Sequence, residues 1–539
     1  MNSNRGHLAL AHKLSQKYSL SLHSLVELTD DAAAALSKYR GDSISLPNLK
    51  TLGGSPGYVA LASTIAHDHS FTTYLSGLTT LAIPAARQLV DHRHPLVLGL
   101  TELTEELASI LSKHKGGKLV LPLRSLSASA AGALAEYPGE LHLNSVTELS
   151  TEAALMLAKH KGKLCLDGIE TISHDAACAL AESDVEIIGM RSLIYLDDSD
   201  SHIGLAAKLV KNNEYLSLLN LKSISEKIAY ILIKCRGSLY LDGLHELSDG
   251  VAAALALHEG ELSLKGLSRL EDTPGHIALA QRAALGSISI DGIVELSVLC
   301  AEALARRSYV SLPALKSLHK GVAVALSATA NLRLEGLREL SDTDAIALGM
   351  IKGENLTPAA KGGQLYRTAP DLNLAGLKEL SDEGVASLVK FQPEICLTIG
   401  LEKLSVDAAK ALSKYHQGAL ILSAITYLDR EVASILSKHV GSIDMPALEE
   451  AEDAVASELA QSAKLKLTGL KRLNDSPGNY ALAASLVRWT ENRYILPLPK
   501  LIQLSELAAI ELSRLPSNQL IVPDETLDVI RKARRAPKG

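Results

Sequence analysis

Leu239-Tyr-Leu241-Asp-Gly243-Leu244-His-Glu-Leu247-Ser248-Asp249-Gly-Val-Ala252-Ala-Ala-Leu255-Ala-Leu-His258-Glu-Gly260-Glu261 is followed at once by Leu262-Ser-Leu264-Lys-Gly266-Leu267-Ser-Arg-Leu270. The step from Leu239 to Leu262 is 23 residues, and the same step separates Leu141 from Leu164 and Leu216 from Leu239. The unit reads L-x-L-x-G-L-x-x-L-S-D-x-A-A-x-A-L-A-x-x-x-G-x. Self-similarity at such a period marks a repeat array, in which each unit buries its apolar face only against its neighbours.

Two periods share one unit. Leu239-x-Leu241 alternates as a strand does, which turns Tyr240 and Asp242 away from the core. After Leu247, Ala252, Leu255 and Ala256 recur at helical spacing. Ser248 is a fitting N-cap, and Asp249 sits where the helix dipole favours an anion. Thr29-Asp30, Ser341-Asp342 and Ser381-Asp382 repeat this start. Gly41, Gly116, Gly162, Gly237, Gly260, Gly418 and Gly441 fall at the helix exits, where we expect left-handed C-caps. Units start near Leu20, Ile44, Thr73, Leu96, Leu119, Leu141, Leu164, Ile187, Leu216, Leu239 and Leu262. They continue near Ile288, Val310, Leu332, Leu372, Ile395, Leu420, Ile443, Leu465, Ile495 and Leu520.

This unit resembles the leucine-rich-repeat superfamily, chiefly its ribonuclease-inhibitor-like and bacterial variants with a true helix. The L-x-L strands and L-S-D-x-A-A-x-A-L-A helices carry the resemblance, over about residues 4–530. It implies an α/β solenoid, with a curved parallel sheet on the concave side and helices on the convex side. We expect a single array, 1–530, of about twenty repeats, with an inserted loop near 352–370 and a basic, disordered tail at 531–539. One departure stands out. The family places Asn or Cys where this chain has Leu244, Leu267, Ile293 and Leu337, so an apolar column replaces the usual polar ladder at the bend. Gly243, Gly266, Gly292 and Gly336 precede it and are read as allowing a tight turn. Ser55-Pro-Gly57, Thr273-Pro-Gly275 and Ser476-Pro-Gly478, with 197–204 as a relative, predict longer helices with proline in the first turn.

Bulk composition narrows the function. Among the 539 residues 47% are hydrophobic but 3% aromatic, so the core is aliphatic and alanine-rich. The formal charge of −7 gives no support to a phosphate-binding surface, and no nucleic acid is expected. Five cysteines, Cys165, Cys178, Cys235, Cys300 and Cys396, are irregularly spaced and odd in number, which argues against a disulfide framework and for a reducing compartment. No apolar run approaches the roughly 18 residues needed to span a bilayer. A cytoplasmic protein without membrane contact is expected.

Catalysis finds no signature. There is no Walker loop, H-E-x-x-H or dinucleotide-binding G-x-G-x-x-G, so neither enzyme activity nor a cofactor is expected. His67, His69, His92 and His94, with Asp68 and Asp91, could offer imidazole and carboxylate to a metal. Their spacing matches no established site and Arg93 opposes a cation, so no metal is expected. His114, His160, His258 and His439 lie at helix ends, where partial positive charge suits the dipole. Glu27, Glu102, Glu148, Glu246, Glu295, Glu339 and Glu379 line one rim beside Lys50, Arg124, Lys222, Lys316, Arg338, Lys378 and Lys471. This pattern reads as a solvated edge. The outward strand positions remain: Tyr74, His142, Ser217, Tyr240, Ser263, Ser289, Ser311, Arg333 and Asn373. They predict a non-catalytic scaffold whose concave face binds an unidentified protein or peptide. The alternative is a structural element that associates with copies of itself.

Overall fold

A computed structural model describes residues 11–13, 19–41, 43–67, 72–319, 321–351, 371–390, 396–415, 418–490 and 495–535. The insertion at 352–370, His69 and Ile395 lie outside them. Two compact units divide the chain after Leu264. Each is built from alternating short parallel strands and helices, an α/β repeat solenoid of the leucine-rich-repeat type.

In the first unit Thr73–Leu75, Leu96–Leu98, Lys118–Val120, Glu140–His142, Lys163–Cys165 and Glu186–Gly189 form a six-stranded parallel sheet. Leu216–Ser217, Leu239–Tyr240 and Leu262–Ser263 pair likewise, and Ser19–Ser21 pairs with Ser43–Ser45. In the second unit a seven-stranded sheet runs from Tyr309–Ser311 to Leu465–Lys466. The registers pair the expected repeat positions directly: Leu141 with Leu164, Leu216 with Leu239, Leu239 with Leu262. Two starts move. The register opposes Leu372 with Leu397 rather than the expected Ile395, and Leu496 with Leu520 rather than Ile495. Ile495 is exposed whereas Leu496 and Leu498 are buried. The one-residue slip follows from strand alternation, which sends neighbours to opposite faces.

Ordinary helices such as Glu105–Leu111 and Ala128–Ala135 span only two turns, 7 and 8 residues. Helices this short are unstable alone in water, so stacking supplies their stability. Paired alanines, Ala130-Ala131, Ala153-Ala154 and Ala176-Ala177, are fully buried where successive helices meet. In Asp249–Ala256 the buried residues are Val251, Ala252, Ala254 and Leu255, while Ala256 is half-buried. The long helices appear where the Pro-Gly motifs and their relative predict them, at Pro56–Ala66, Asp200–Asn212, Pro274–Ala284 and Pro477–Thr490, with 11 to 14 residues.

Serine caps act within and between units. Ser405 Oγ accepts from Ala408 N at 2.9 Å and donates to Asp382 Oδ1 of the preceding helix. Ser55 donates to Asp30 Oδ1 at 2.6 Å, and that oxygen also accepts from Tyr58 N at 3.0 Å. Ser55 makes no side-chain cap on its own helix, and the aspartate of the unit before takes that place. Asp30 and Asp382 thus tie their helices to the next as well as lying where the dipole favours an anion.

The exit glycines act differently from the expectation. Gly116, Gly162, Gly237, Gly260 and Gly441 are not left-handed, whereas Gly286, with φ 92°, is. A Cβ at Gly162 would lie 2.1 Å from Gly139 O, and one at Gly441 would lie 2.0 Å from Gly418 O. These glycines let adjacent backbones touch. Gly292 and Gly336 do the same at the bend rather than adopting a special turn.

The polar ladder missing from the bend reappears at the exit, three residues past the last helical leucine. Tyr39, His92, His114, Tyr137, His160, His258, Thr329, Tyr415 and His439 fill this column, all buried. Tyr137 donates to Gly116 O at 2.5 Å and Thr329 to Arg307 O at 2.6 Å. His258 meets Ile233 O and Gly237 O at 3.1 and 3.0 Å. Rings stack between units, His114 on Tyr137 at 6.1 Å and Tyr137 on His160 at 6.5 Å. Burial, with the neighbouring His92, pushes His114 down to about 4, and burial lowers His160 as well. His114 and His160 are therefore neutral at pH 7 and do not serve the helix dipole as cations. The basic tail is also corrected in part. Helix Asp524–Arg535 runs through Arg531–Arg535, and Arg534 bonds Ser513 O at 3.0 Å and Ser517 Oγ at 3.1 Å.

Candidate functional site

Strand alternation buries the leucines and turns one residue per strand outward. In the first unit the six-stranded sheet aligns Tyr74, Val97, Val120, His142 and Cys165 in one row. Tyr74 is 55% exposed and Cys165 only 4%. Val97 and Val120 are half-buried. Burial pushes the Cys165 thiol up to about 12, helped by the charge of Asp167, so it behaves as an apolar group. The row is an aromatic and aliphatic strip. The sequence reading missed Val97, Val120 and Cys165 because it looked for polar residues between the leucines.

A charged row lies beside the strip. Lys118, Glu140, Lys163 and Glu186 precede the central Leu119, Leu141, Leu164 and Ile187 of successive strands. Lys118 pairs with Glu140 at 3.0 Å and Lys163 with Glu186 at 3.4 Å. His142 Nε2 also meets Glu140 Oε1, which folds the imidazole back onto the sheet. Burial alone would raise the Glu140 pKa, but bonds from His142 and Lys118 outweigh it and lower it.

The other predicted positions lie in other strand registers. Ser217, Tyr240 and Ser263 share a register in the first unit, and Ser263 is 6% exposed, donating to Asp242 Oδ1 at 2.5 Å. In the second unit Ser311, Arg333 and Asn373 align with Thr398, Ile421, Asp444 and Lys466. Arg333 pairs with Asp371 at 3.4 Å and lies 5.9 Å from the Tyr309 ring centroid. Asn373 donates to Glu335 at 3.1 Å. Ser289 donates to Asp291 at 3.0 Å. The second unit therefore presents a polar, internally paired row. At the rim, Lys378–Glu402 at 2.8 Å and Lys471–Glu449 at 2.7 Å are exposed pairs, worth little individually.

Of the metal candidates, His69 lies outside the described residues, and His67, His92 and His94 belong to no metal-ligating group among the described residues. His92 is fully buried, with Nε2 3.0 Å from Thr73 Oγ1 and Nδ1 3.3 Å from Ala66 O. His67 Nδ1 lies 2.7 Å from Ser63 O. Among the described residues a different group converges: His174, Asp197 and His202, whose donor atoms lie within 4.8 Å of one another. His174 opens helix His174–Glu182 and His202 lies in the first turn of Asp200–Asn212. Asp197 spans them, 2.8 Å from His174 Nε2 and 2.7 Å from His202 Nδ1. Bonds from Ser199 and His174 hold its carboxyl well below the usual carboxylate range. The triad escaped the sequence reading because Asp197 and His202 lie 23 and 28 residues after His174 and meet it only through stacking.

No family model matches the chain, and no curated protein matches it. Among solved structures, an internalin from Listeria monocytogenes is 13% identical, with 71% of this chain and 87% of that chain covered and a TM-score of 0.28. The Toll–Spatzle complex of Drosophila is 12% identical, with 95% of this chain and 61% of that chain covered and a TM-score of 0.26. Scores this low add nothing to the fold, which rests on the repeating strand and helix.

Proposed function

We propose that this chain is a non-catalytic scaffold that holds a protein or peptide partner on the sheet face of its first unit. The strip of Tyr74, Val97 and Val120 carries this reading. It is apolar, partly exposed and supported by a rigid six-stranded sheet. Tyrosine is favoured at interface hot spots, and apolar surface rimmed by charge marks interaction sites. The Lys118–Glu140 and Lys163–Glu186 pairs supply that rim. The five free cysteines, three of them buried, support a cytoplasmic setting. Among the described residues no helix is long and apolar enough to cross a membrane.

The test is affinity capture from source lysate with the full chain as bait, followed by measured binding of the captured partner. Tyr74→Ala with Val120→Asp is expected to weaken binding about tenfold or more, with an unchanged unfolding midpoint. Wild-type affinity in that variant contradicts the assignment. Recovery of bait alone, together with concentration-dependent mass in light scattering, replaces it with self-association.

A further inference from the structure

The polar residues at the helix exits and caps are accounted for by stacking, but the His174–Asp197–His202 cluster is not. His202 is 0% exposed. Its Nε2 lies 3.3 Å from Ile172 O, and Asp197 N–H donates to its Nδ1 at 3.2 Å. Asp197 Oδ1 also lies 2.7 Å from Nδ1, so a carboxylate and a ring nitrogen converge at this point. A backbone carbonyl behind the distal nitrogen is the arrangement that orients histidine ligands toward a metal.

A second long-helix unit holds a histidine at the same position. His276 is buried in the same place, and Glu271 N–H donates to its Nδ1 at 2.8 Å. There the imidazole serves the bend of its own unit. At His202 the corresponding bond is 3.2 Å long, a carboxylate oxygen stands 2.7 Å from the same nitrogen, and the preceding helix brings a second imidazole. The His174 and His202 rings stand 5.0 Å apart, edge to face.

We propose that His174, Asp197 and His202 form a binding site for a divalent transition-metal ion of the zinc class, with at least one coordination position open to solvent. Two imidazoles and one carboxylate suit zinc, nickel or copper rather than magnesium or calcium, which prefer all-oxygen shells. Donors around zinc at ~2.0–2.2 Å stand slightly more than 3 Å apart, so small outward movements suffice. The side chains of His174 and Asp197 are 60% and 40% exposed, which gives those movements room and the ion an entry path. Asp175, Asp198 and Asp200 adjoin the ligands in sequence and add negative charge. Three protein ligands leave the fourth position of a tetrahedral ion to water or to a group from a bound partner.

The experiment titrates tag-free, chelator-stripped full-length protein with Zn2+ by calorimetry and with Co2+ by visible absorption. One equivalent and the d–d bands of four- or five-coordinate Co2+ are expected. His174→Ala removes an exposed ligand and should leave the unfolding midpoint unchanged while weakening zinc binding ~10-fold or more. His67→Ala and His94→Ala should bind as the wild type does. No binding by the wild type overturns the proposal, as does wild-type affinity with an unaltered Co2+ spectrum in His174→Ala. In either case the cluster is a hydrogen-bonded brace between two helices.

Discussion

At Gly162 an added Cβ would stand 2.1 Å from the carbonyl oxygen of Gly139, well inside van der Waals contact. The neighbour is backbone and cannot rotate away, so the two units must separate locally. Gly162→Ala is expected to cost ~1–3 kcal/mol, as overpacking does, read as a lower urea midpoint. A midpoint equal to the wild type's would show that the backbones do not touch. The histidines of the exit column carry a second prediction at this scale. His114 is lowered from 6.5 to about 4 by burial and by His92. Below pH 6.5 the unfolded chain binds a proton that the folded chain refuses. The contribution of His114 is therefore complete above pH 6.5 and is lost as pH falls toward 4, up to ~3 kcal/mol. In His114→Phe, which keeps an aromatic ring in the stack, the fall in urea midpoint between pH 7 and pH 4.5 should be smaller. An identical fall would assign the acid sensitivity to other groups.

At the level of the element, a two-turn helix holds its place through its cap and its neighbours. Ser405 closes the first turn of Val406–Ser413 and also bonds Asp382 of the helix before. Ser405→Ala is expected to cost ~1–2 kcal/mol, and a double-mutant cycle with Asp382→Ala should show coupling. Strict additivity would confine the serine to its own helix. The Ser-Asp start was legible as a cap because the local chemistry is enough to predict it. Its second role was not, since the partner of each serine sits 23 to 39 residues earlier. The same limit applies to the exit column. His114, Tyr137 and His160 occupy one repeat position, three residues past Leu111, Leu134 and Leu157. Lining up histidine with tyrosine at that position is the signal that would have shown a buried ladder rather than separate helix-end cations.

For the molecule as a whole, the 23-residue step decided the architecture because a strand and a helix alternate within it, and the registers pair the leucines it aligned. The candidate surface was less legible. Tyr74 and His142 were read as outward, but Val97 and Val120 between leucines look like a continuous apolar run until the register separates the two faces. The first unit's sheet carries an apolar strip where the second unit's presents paired polar groups such as Arg333 and Asp371. Binding is therefore expected in the first unit. Site-specific photo-cross-linking tests this most directly, with the reactive group placed at Tyr74 or Val97 on the sheet face, or at exposed Leu155 on helix Thr151–Leu157. The account predicts adducts to one polypeptide from positions 74 and 97 and none from 155. Adducts from 155 with none from 74 and 97 would contradict it.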